Sequence, residues 1–137
     1  MEWSYLIVGG RVIDPYSGID AVRDIAISGS KIAEVGENLP RDKADEVIGA
    51  TGKIVTPGLI DLHVHNYTSR GALPSVDSDT TNLAFGVTTA LDAGTATPEE
   101  YPHYWESDIQ NTKVRLYSLV RMPDPYGSSP SSVAEVK

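Results

Sequence analysis

The stretch Pro57-Gly58-Leu59-Ile60-Asp61-Leu62-His63-Val64-His65 decides the fold that we expect for this chain. It is mostly apolar and predicts a strand that is nearly buried along most of its length. Side chains alternate between the faces of a strand, so His63 and His65 should project to the same side, about 6.5 Å apart along the backbone. Imidazoles in this position can converge on one metal ion, since the zinc–nitrogen bond is about 2.1 Å long.

Two histidines one residue apart on an ordinary surface strand usually bind nothing, so the context of the pair matters. Here an apolar strand ends in polar rings, and the carboxyl end of a strand is where parallel α/β architectures place their ligands. We therefore predict that His63 and His65 are metal ligands. The chain contains no cysteine, so any further ligand must be His, Asp, Glu or a modified side chain.

The residues after the histidines alternate between helical and strand patterns. The sequence predicts a helix at 78–85 ended by Gly86, a strand at 87–91 that leads to Asp92, a helix at 99–110 and a strand at 114–120. This alternation is typical of a parallel α/β sheet. The segment 122–132 is rich in Pro, Ser and Gly and is predicted to be a loop.

The residues before Thr56 form short β-type runs punctuated by glycine. Gly9-Gly10 predicts a tight hairpin, and the alternation of Ile25 and Ile27 with polar or small residues predicts a half-buried strand. Together the runs predict a compact β-sandwich. We therefore expect two domains, an all-β domain at 1–56 and an α/β domain at 57–137.

Composition restricts the function further. The 137 residues are 40% hydrophobic and 22% charged, as in folded soluble proteins. The net charge of -8 argues against nucleic acid and anionic membranes as partners. The start of the chain has no basic leader, and the apolar run at 6–8 is much too short for a signal sequence or a membrane span. With the absence of cysteine, this favours a cytoplasmic location.

The motif at 57–65 resembles that of the amidohydrolase superfamily, in which it ends the first strand of a (β/α)8 TIM barrel. Phe85-Gly86-Val87-Thr88-Thr89-Ala90-Leu91-Asp92-Ala93-Gly94 is similar to the second strand of the family. The stretches 9–15, 24–27 and 31–36 extend the resemblance over nearly the whole chain. The turn Asp92-Ala93-Gly94-Thr95-Ala96 is most similar to the dihydroorotase-like deacetylase branch.

This resemblance implies a site with one or two divalent metal ions, usually zinc, at which water attacks the carbonyl of a small-molecule amide. The other family residues, a carboxylated Lys, two later His and a catalytic Asp, would lie beyond Lys137. A whole barrel takes about 250 residues, so we expect this chain to hold the β domain and the first three barrel strands. No catalytic residue can be identified in it, and by itself we expect weak metal retention, little activity and possible self-association.

The substrate remains open at this stage. Dihydroorotases tend to carry an Arg two residues after the second His, whereas this chain has Asn66-Tyr67, so we do not expect strict dihydroorotase activity. The resemblance of the turn at 92–96 implies a deacetylase-like activity instead. A hydantoinase-like cyclic amidase and a deaminase are alternatives within the superfamily. An alternative of another class is a non-catalytic stub or interaction module.

Five residues in or near the motifs can be given either a functional or a structural interpretation. Asp92 ends the second strand at the catalytic face, so it could contact substrate or support the metal ligands, or simply stabilise a turn. We expect Asp61 to bind neighbouring backbone and His103 to be a solvated or packing residue. Arg70 lies, like Tyr67, in the loop where barrels bind substrate, but that position alone does not assign it a role.

Overall fold

The computed structural model describes residues 2–69 and 74–121. The chain divides into two compact units, Met1–Pro57 and Gly58–Lys137. The loop predicted at 122–132 and Arg70 lie outside the described residues. Within them, no helix is long and apolar enough to cross a membrane.

The first unit is a single mixed sheet. Its strands are β1 (Trp3–Asp14), β2 (Ile19–Ser28), β3 (Lys31–Gly36), β4 (Ala44–Gly49) and β5 (Ile54–Val55). The order is β3-β2-β1-β4, and β5 also pairs with β1. β2 runs antiparallel to β1 and β3, whereas β4 and β5 run parallel to β1. All the described strands of this unit therefore belong to one sheet, where the sequence predicted two packed sheets.

The long strand β1 explains why the hairpin prediction at Gly9-Gly10 was wrong. The glycine pair lies inside the strand, at a bulge where the register with β2 shifts. Gly9 has a φ of +72°, and its N–H donates to Asp24 Oδ1 at 2.9 Å. A Cβ on Gly10 would lie 2.5 Å from Val55 Cγ2. The glycines thus permit a bulge and a close approach of β5, and the chain reverses later, between Asp14 and Ile19.

The second unit is a parallel sheet of three strands, as the alternating pattern predicted. They are β6 (Leu59–Val64), β7 (Val87–Asp92) and β8 (Arg115–Ser118), in that order. The connection from β6 to β7 contains a π-helical turn, Ser78–Asn82, and a 3-10 turn, Leu83–Phe85, which Gly86 ends at a φ of +81°. The connection from β7 to β8 contains α1 (Tyr101–Tyr104), continued by a π-helical turn, Trp105–Ile109.

The core of this unit joins the three strands to α1 and the connecting segments. Buried side chains from the three strands meet residues of α1 and the connecting loops there: Val64, Tyr67, Ala90, Ala96, Tyr104, Val114 and Leu116. The prediction that β6 is nearly buried was wrong for the described residues, because Ile60 and Leu62 are 65% and 71% exposed. Val64, at the end of β6, lies in the core with residues of the helical segments, whereas Ile60 and Leu62 lie outside that core.

Candidate metal site

The structure brings His63 and His65 together at the end of β6. Their ring centroids are 5.5 Å apart and the ring planes are almost perpendicular, at 89°. Val64, between them, points to the opposite face and is buried in the core. The packing of Val64 therefore fixes the face on which the two imidazoles stand.

The ring of His65 is oriented by Thr95, which follows β7. Nδ1 of His65 lies 2.8 Å from Oγ1 of Thr95, whose side chain is fully buried. His63 differs, since the hydrogen bond recorded for it involves the backbone: its N–H donates to Asp61 Oδ1 at 3.0 Å. The expected role of Asp61 in binding neighbouring backbone is thus confirmed.

Asp92 is fully buried and accepts four hydrogen bonds at the end of β7. Its Oδ1 accepts from the N–H groups of Gly94 and Thr95 at 3.0 and 2.7 Å. Its Oδ2 accepts from the N–H of Asn66 at 2.8 Å and from the hydroxyl of Tyr104 at 2.9 Å. These contacts favour the turn-stabilising interpretation of Asp92, and they connect the turn after β7 to the residue that follows His65.

Burial and the carboxylate of Asp92 determine the protonation state of the Tyr104 hydroxyl. Burial and the negative charge of Asp92 both raise the pKa of Tyr104 well above its ordinary value. The phenol therefore stays protonated and remains a hydrogen-bond donor to Asp92 at all physiological pH values. It stabilises a carboxylate that would otherwise be buried with fewer donors.

The two imidazoles are chemically suitable ligands for a divalent metal ion such as zinc, but two are fewer than a catalytic site uses. Neutral imidazole is a common ligand of zinc and related ions, and catalytic zinc sites use at least three protein ligands. Among residues 2–69 and 74–121, no group of three or more His, Asp or Glu side chains is placed to hold a metal ion. The described residues therefore offer two candidate ligands, fewer than such a site needs.

Comparisons with known proteins place this chain in a family, although no family model matches the chain. The dihydroorotase of Geobacter metallireducens is 53% identical over 60 residues, which are 44% of this chain and 14% of that enzyme. The chain thus matches about a seventh of the length of this curated relative. A solved dihydroorotase is 27% identical with a TM-score of 0.73, covering 85% of this chain and 30% of the other.

Two further solved structures extend the likeness to other reactions. An adenine deaminase is 32% identical with a TM-score of 0.70, covering 86% of this chain and 30% of its own. A D-aminoacylase, described as having a binuclear metal center, is 29% identical with a TM-score of 0.51, covering 66% and 18%. The chain belongs to the amidohydrolase superfamily. It corresponds to an N-terminal portion of these enzymes.

In this amidohydrolase chain, Asn66 and Tyr67 are buried next to the histidines, at 2% and 1% exposure. The amide nitrogen of Asn66 donates to the backbone oxygen of Val76 and to Asn82 Oδ1 at 2.8 and 3.1 Å. The ring of Tyr67 packs on Tyr104 with centroids 4.6 Å apart. Both side chains therefore support the loop that follows β6.

His103 is a packing residue, as expected. It is half-buried on α1, and its Nδ1 lies 3.1 Å from the hydroxyl of Tyr67. Sequence reasoning missed Thr95, Tyr104 and the buried role of Asn66. The available signal was their chemistry and position, since Thr95 and Asn66 are polar residues that follow shortly after predicted strands, where parallel sheets form their sites.

Proposed function

We propose that this chain is the metal-binding N-terminal part of an enzyme that hydrolyses a non-peptide carbon–nitrogen amide bond, with His63 and His65 among the metal ligands. The observation that carries the proposal is the pair of imidazoles 5.5 Å apart at the carboxyl end of a parallel strand. Active sites of (β/α)8 barrels lie at that end. We accordingly propose that residues 57–137 begin such a barrel and that residues 1–56 form a separate β domain.

The residues of this chain would hold and orient the metal. His65, with its Nδ1 at Thr95, has Nε2 left for a ligand bond, and His63 stands beside it on the same face. A divalent ion held there, which we propose to be zinc, would supply an acidified water and would polarise the substrate carbonyl. Because two protein ligands are too few for a catalytic site, we propose that further ligands come from outside the described residues.

The loop after His65 favours a deacetylase-like substrate over dihydroorotate. The position two residues after the second His, where dihydroorotases tend to carry Arg, is Tyr67. Tyr67 is 1% exposed and engaged with Tyr104 and His103. No cation stands at that position to hold a substrate carboxylate, and the likeness to D-aminoacylase fits an enzyme that removes an acyl group from nitrogen.

A deaminase is the second candidate. It is favoured by the likeness to an adenine deaminase, which at 32% identity covers 86% of this chain. A hydantoinase-like cyclic amidase uses the same bond chemistry and stays an alternative. Both candidates would use the same two histidines, so substrate turnover must separate them.

Metal binding by this chain provides the first test. We expect the purified chain to bind zinc weakly in isothermal titration calorimetry, and His63→Ala or His65→Ala to weaken binding by about tenfold or more, since each removes a ligand. His103→Ala is the matched control, because the ring of His103 contacts Tyr67 and is not paired with either of the two histidines. Equal zinc affinity in wild type and in the double variant lacking both histidines would overturn the ligand assignment.

Turnover provides the second test. A protein that contains this chain together with the later ligands should hydrolyse N-acetyl amino acid derivatives faster than dihydroorotate or adenine. Faster release of ammonia from adenine would favour the deaminase instead. If none of the three compounds turns over and zinc does not bind, the non-catalytic alternative gains support.

A further inference from the structure

We infer that Thr95 is a positioning residue that selects the tautomer of His65 and so presents Nε2 of that ring to the metal. The contact itself is independent of any ligand, whereas its purpose rests on the proposed function. Thr95 lies in the turn after β7, thirty positions along the chain from the ring that it meets. It is a separate element of the fold that acts on the metal strand.

Burial and a backbone hydrogen bond fix the position of Thr95. Its side chain is fully buried, and its N–H donates to Asp92 Oδ1 at 2.7 Å. The other carboxylate oxygen of Asp92 accepts from the N–H of Asn66, which directly follows His65. One carboxylate therefore fixes both sides of the contact between the threonine hydroxyl and the imidazole.

The hydroxyl matters because neutral imidazole carries a single N–H. If Oγ1 of Thr95 accepts, the proton is on Nδ1 and the lone pair of Nε2 is free for a metal. If Oγ1 donates, the proton is on Nε2 and that nitrogen cannot coordinate. Ligand histidines ordinarily donate their second N–H to an acceptor, which fixes the tautomer and the ring orientation. In the tautomer that we infer, Oγ1 of Thr95 is that acceptor for His65.

The neighbouring ligand lacks such a partner in the described part of the chain. There the hydrogen bond recorded for His63 involves its backbone N–H, and none is recorded for its ring. Its ring can therefore turn toward an arriving ion, while the ring of His65 is already set. We expect a metal to meet one ordered ligand and one adaptable ligand at the end of β6.

The tautomer can be measured without any metal. In the metal-free chain at pH 8.5, nitrogen-15 NMR should show the proton of His65 on Nδ1. Thr95→Val removes the hydroxyl at nearly constant shape and should abolish that preference, while Thr95→Ser should retain it. A proton on Nε2 in wild type, or an unchanged tautomer in Thr95→Val, would overturn the inference.

Zinc affinity shows whether the tautomer serves metal binding. Thr95→Val should weaken zinc binding about tenfold or more, as the loss of such supporting contacts does elsewhere, and Thr95→Ser should bind like wild type. The matched control is Thr112→Val, which deletes a 2.6 Å hydroxyl contact with Asp79 in the same unit and should leave affinity unchanged. Equal losses in the two valine variants would assign the effect to general destabilisation and refute the positioning role.

The two measurements fail in different ways. If zinc affinity is the same in wild type and in the double variant lacking both histidines, the proposed metal site is wrong, and the tautomer measurement still decides whether Thr95 controls His65. If wild type binds zinc but the tautomer does not depend on Thr95, the metal site stands without this positioning residue.

Discussion

Replacing Asp92 with Asn should lower the free energy of unfolding of the unit Gly58–Lys137 by about 3 kcal/mol. The carboxylate accepts four hydrogen bonds, two on each oxygen, and is fully buried. Asparagine keeps one oxygen, which can serve the N–H groups of Gly94 and Thr95. Its amide nitrogen then faces the N–H of Asn66, so two donors meet and a buried N–H is left unpaired.

The magnitude follows from these contacts. An unpaired buried donor costs about 1–3 kcal/mol, and each remaining bond loses roughly 1 kcal/mol when its acceptor is no longer charged. The hydroxyl of Tyr104 can rotate to accept from the new amide, and a neutral side chain costs less to bury. These gains offset part of the loss, which leaves the net destabilisation at about 3 kcal/mol.

Urea unfolding followed by tryptophan fluorescence measures this loss. Trp3 should be replaced by Phe in both proteins, so that Trp105 reports on its own unit, and the midpoints should be compared at equal slope. Asp77→Asn is the matched control, because Asp77 is exposed and caps a helical turn through the N–H of Thr80 at 2.8 Å. Asn caps as well as Asp, so this control should cost less than about 0.5 kcal/mol.

Two results would refute the reasoning about Asp92. One is a cost for Asp92→Asn below about 1 kcal/mol, which would mean that the four contacts do not act on an ionised carboxylate. The other concerns Tyr104→Phe, which removes a single bond to the charged group and should cost about 1.5–2 kcal/mol. A larger loss in Tyr104→Phe than in Asp92→Asn would reverse the predicted ranking.

Three further predictions concern the same unit. Gly58→Ala should lower the free energy of unfolding by about 2 kcal/mol or more, because its Cβ would lie 1.9 Å from Thr88 Oγ1. Adding Thr88→Ala to this variant should recover part of that free energy in urea unfolding. No recovery would contradict the clash. The pKa of Asp108 is lowered, because hydrogen bonds from Ser107, Thr68 and Ser69 outweigh the opposing effect of burial. The ionised carboxylate therefore stabilises the folded unit fully above the unfolded pKa of about 3.9, and this contribution is lost as the pH falls through the folded pKa. Asp108→Asn should reduce the drop in urea midpoint between pH 6 and pH 3. An unchanged drop would refute this role of Asp108. Tyr117 is 57% exposed on β8, an edge strand that pairs only with β7 among the described strands. Tyr117→Lys should reduce the self-association measured by light scattering. An equal mass for both proteins, whether monomeric or associated, would count against self-association through β8.

Local patterns were sufficient to predict the strands of the second unit and their parallel orientation. β7 and β8 were expected at 87–91 and 114–120, and the structure has them at Val87–Asp92 and Arg115–Ser118. Gly86 ends its helical segment in the left-handed conformation that glycine adopts most readily. These features depend on residues that are close in sequence, and such residues determine period and turns.

Features that depend on distant residues were not predicted correctly. Gly9-Gly10 has the composition of a hairpin, but its role is set by Val55, which would clash with a side chain at Gly10. The burial of β6 was likewise inferred from its apolar letters, although burial depends on which segments pack against it. In both cases the deciding contact lies tens of residues away along the chain.

The histidine pair combines both kinds of information. Strand alternation alone predicted that His63 and His65 would share a face, and their rings do lie side by side. What distinguishes the two rings is Thr95, held by Asp92, and nothing in the spacing of the motif reveals that contact. The kind of metal chemistry can therefore be proposed from the strand sequence, whereas the availability of a particular ring nitrogen depends on how the turn after β7 packs beside it.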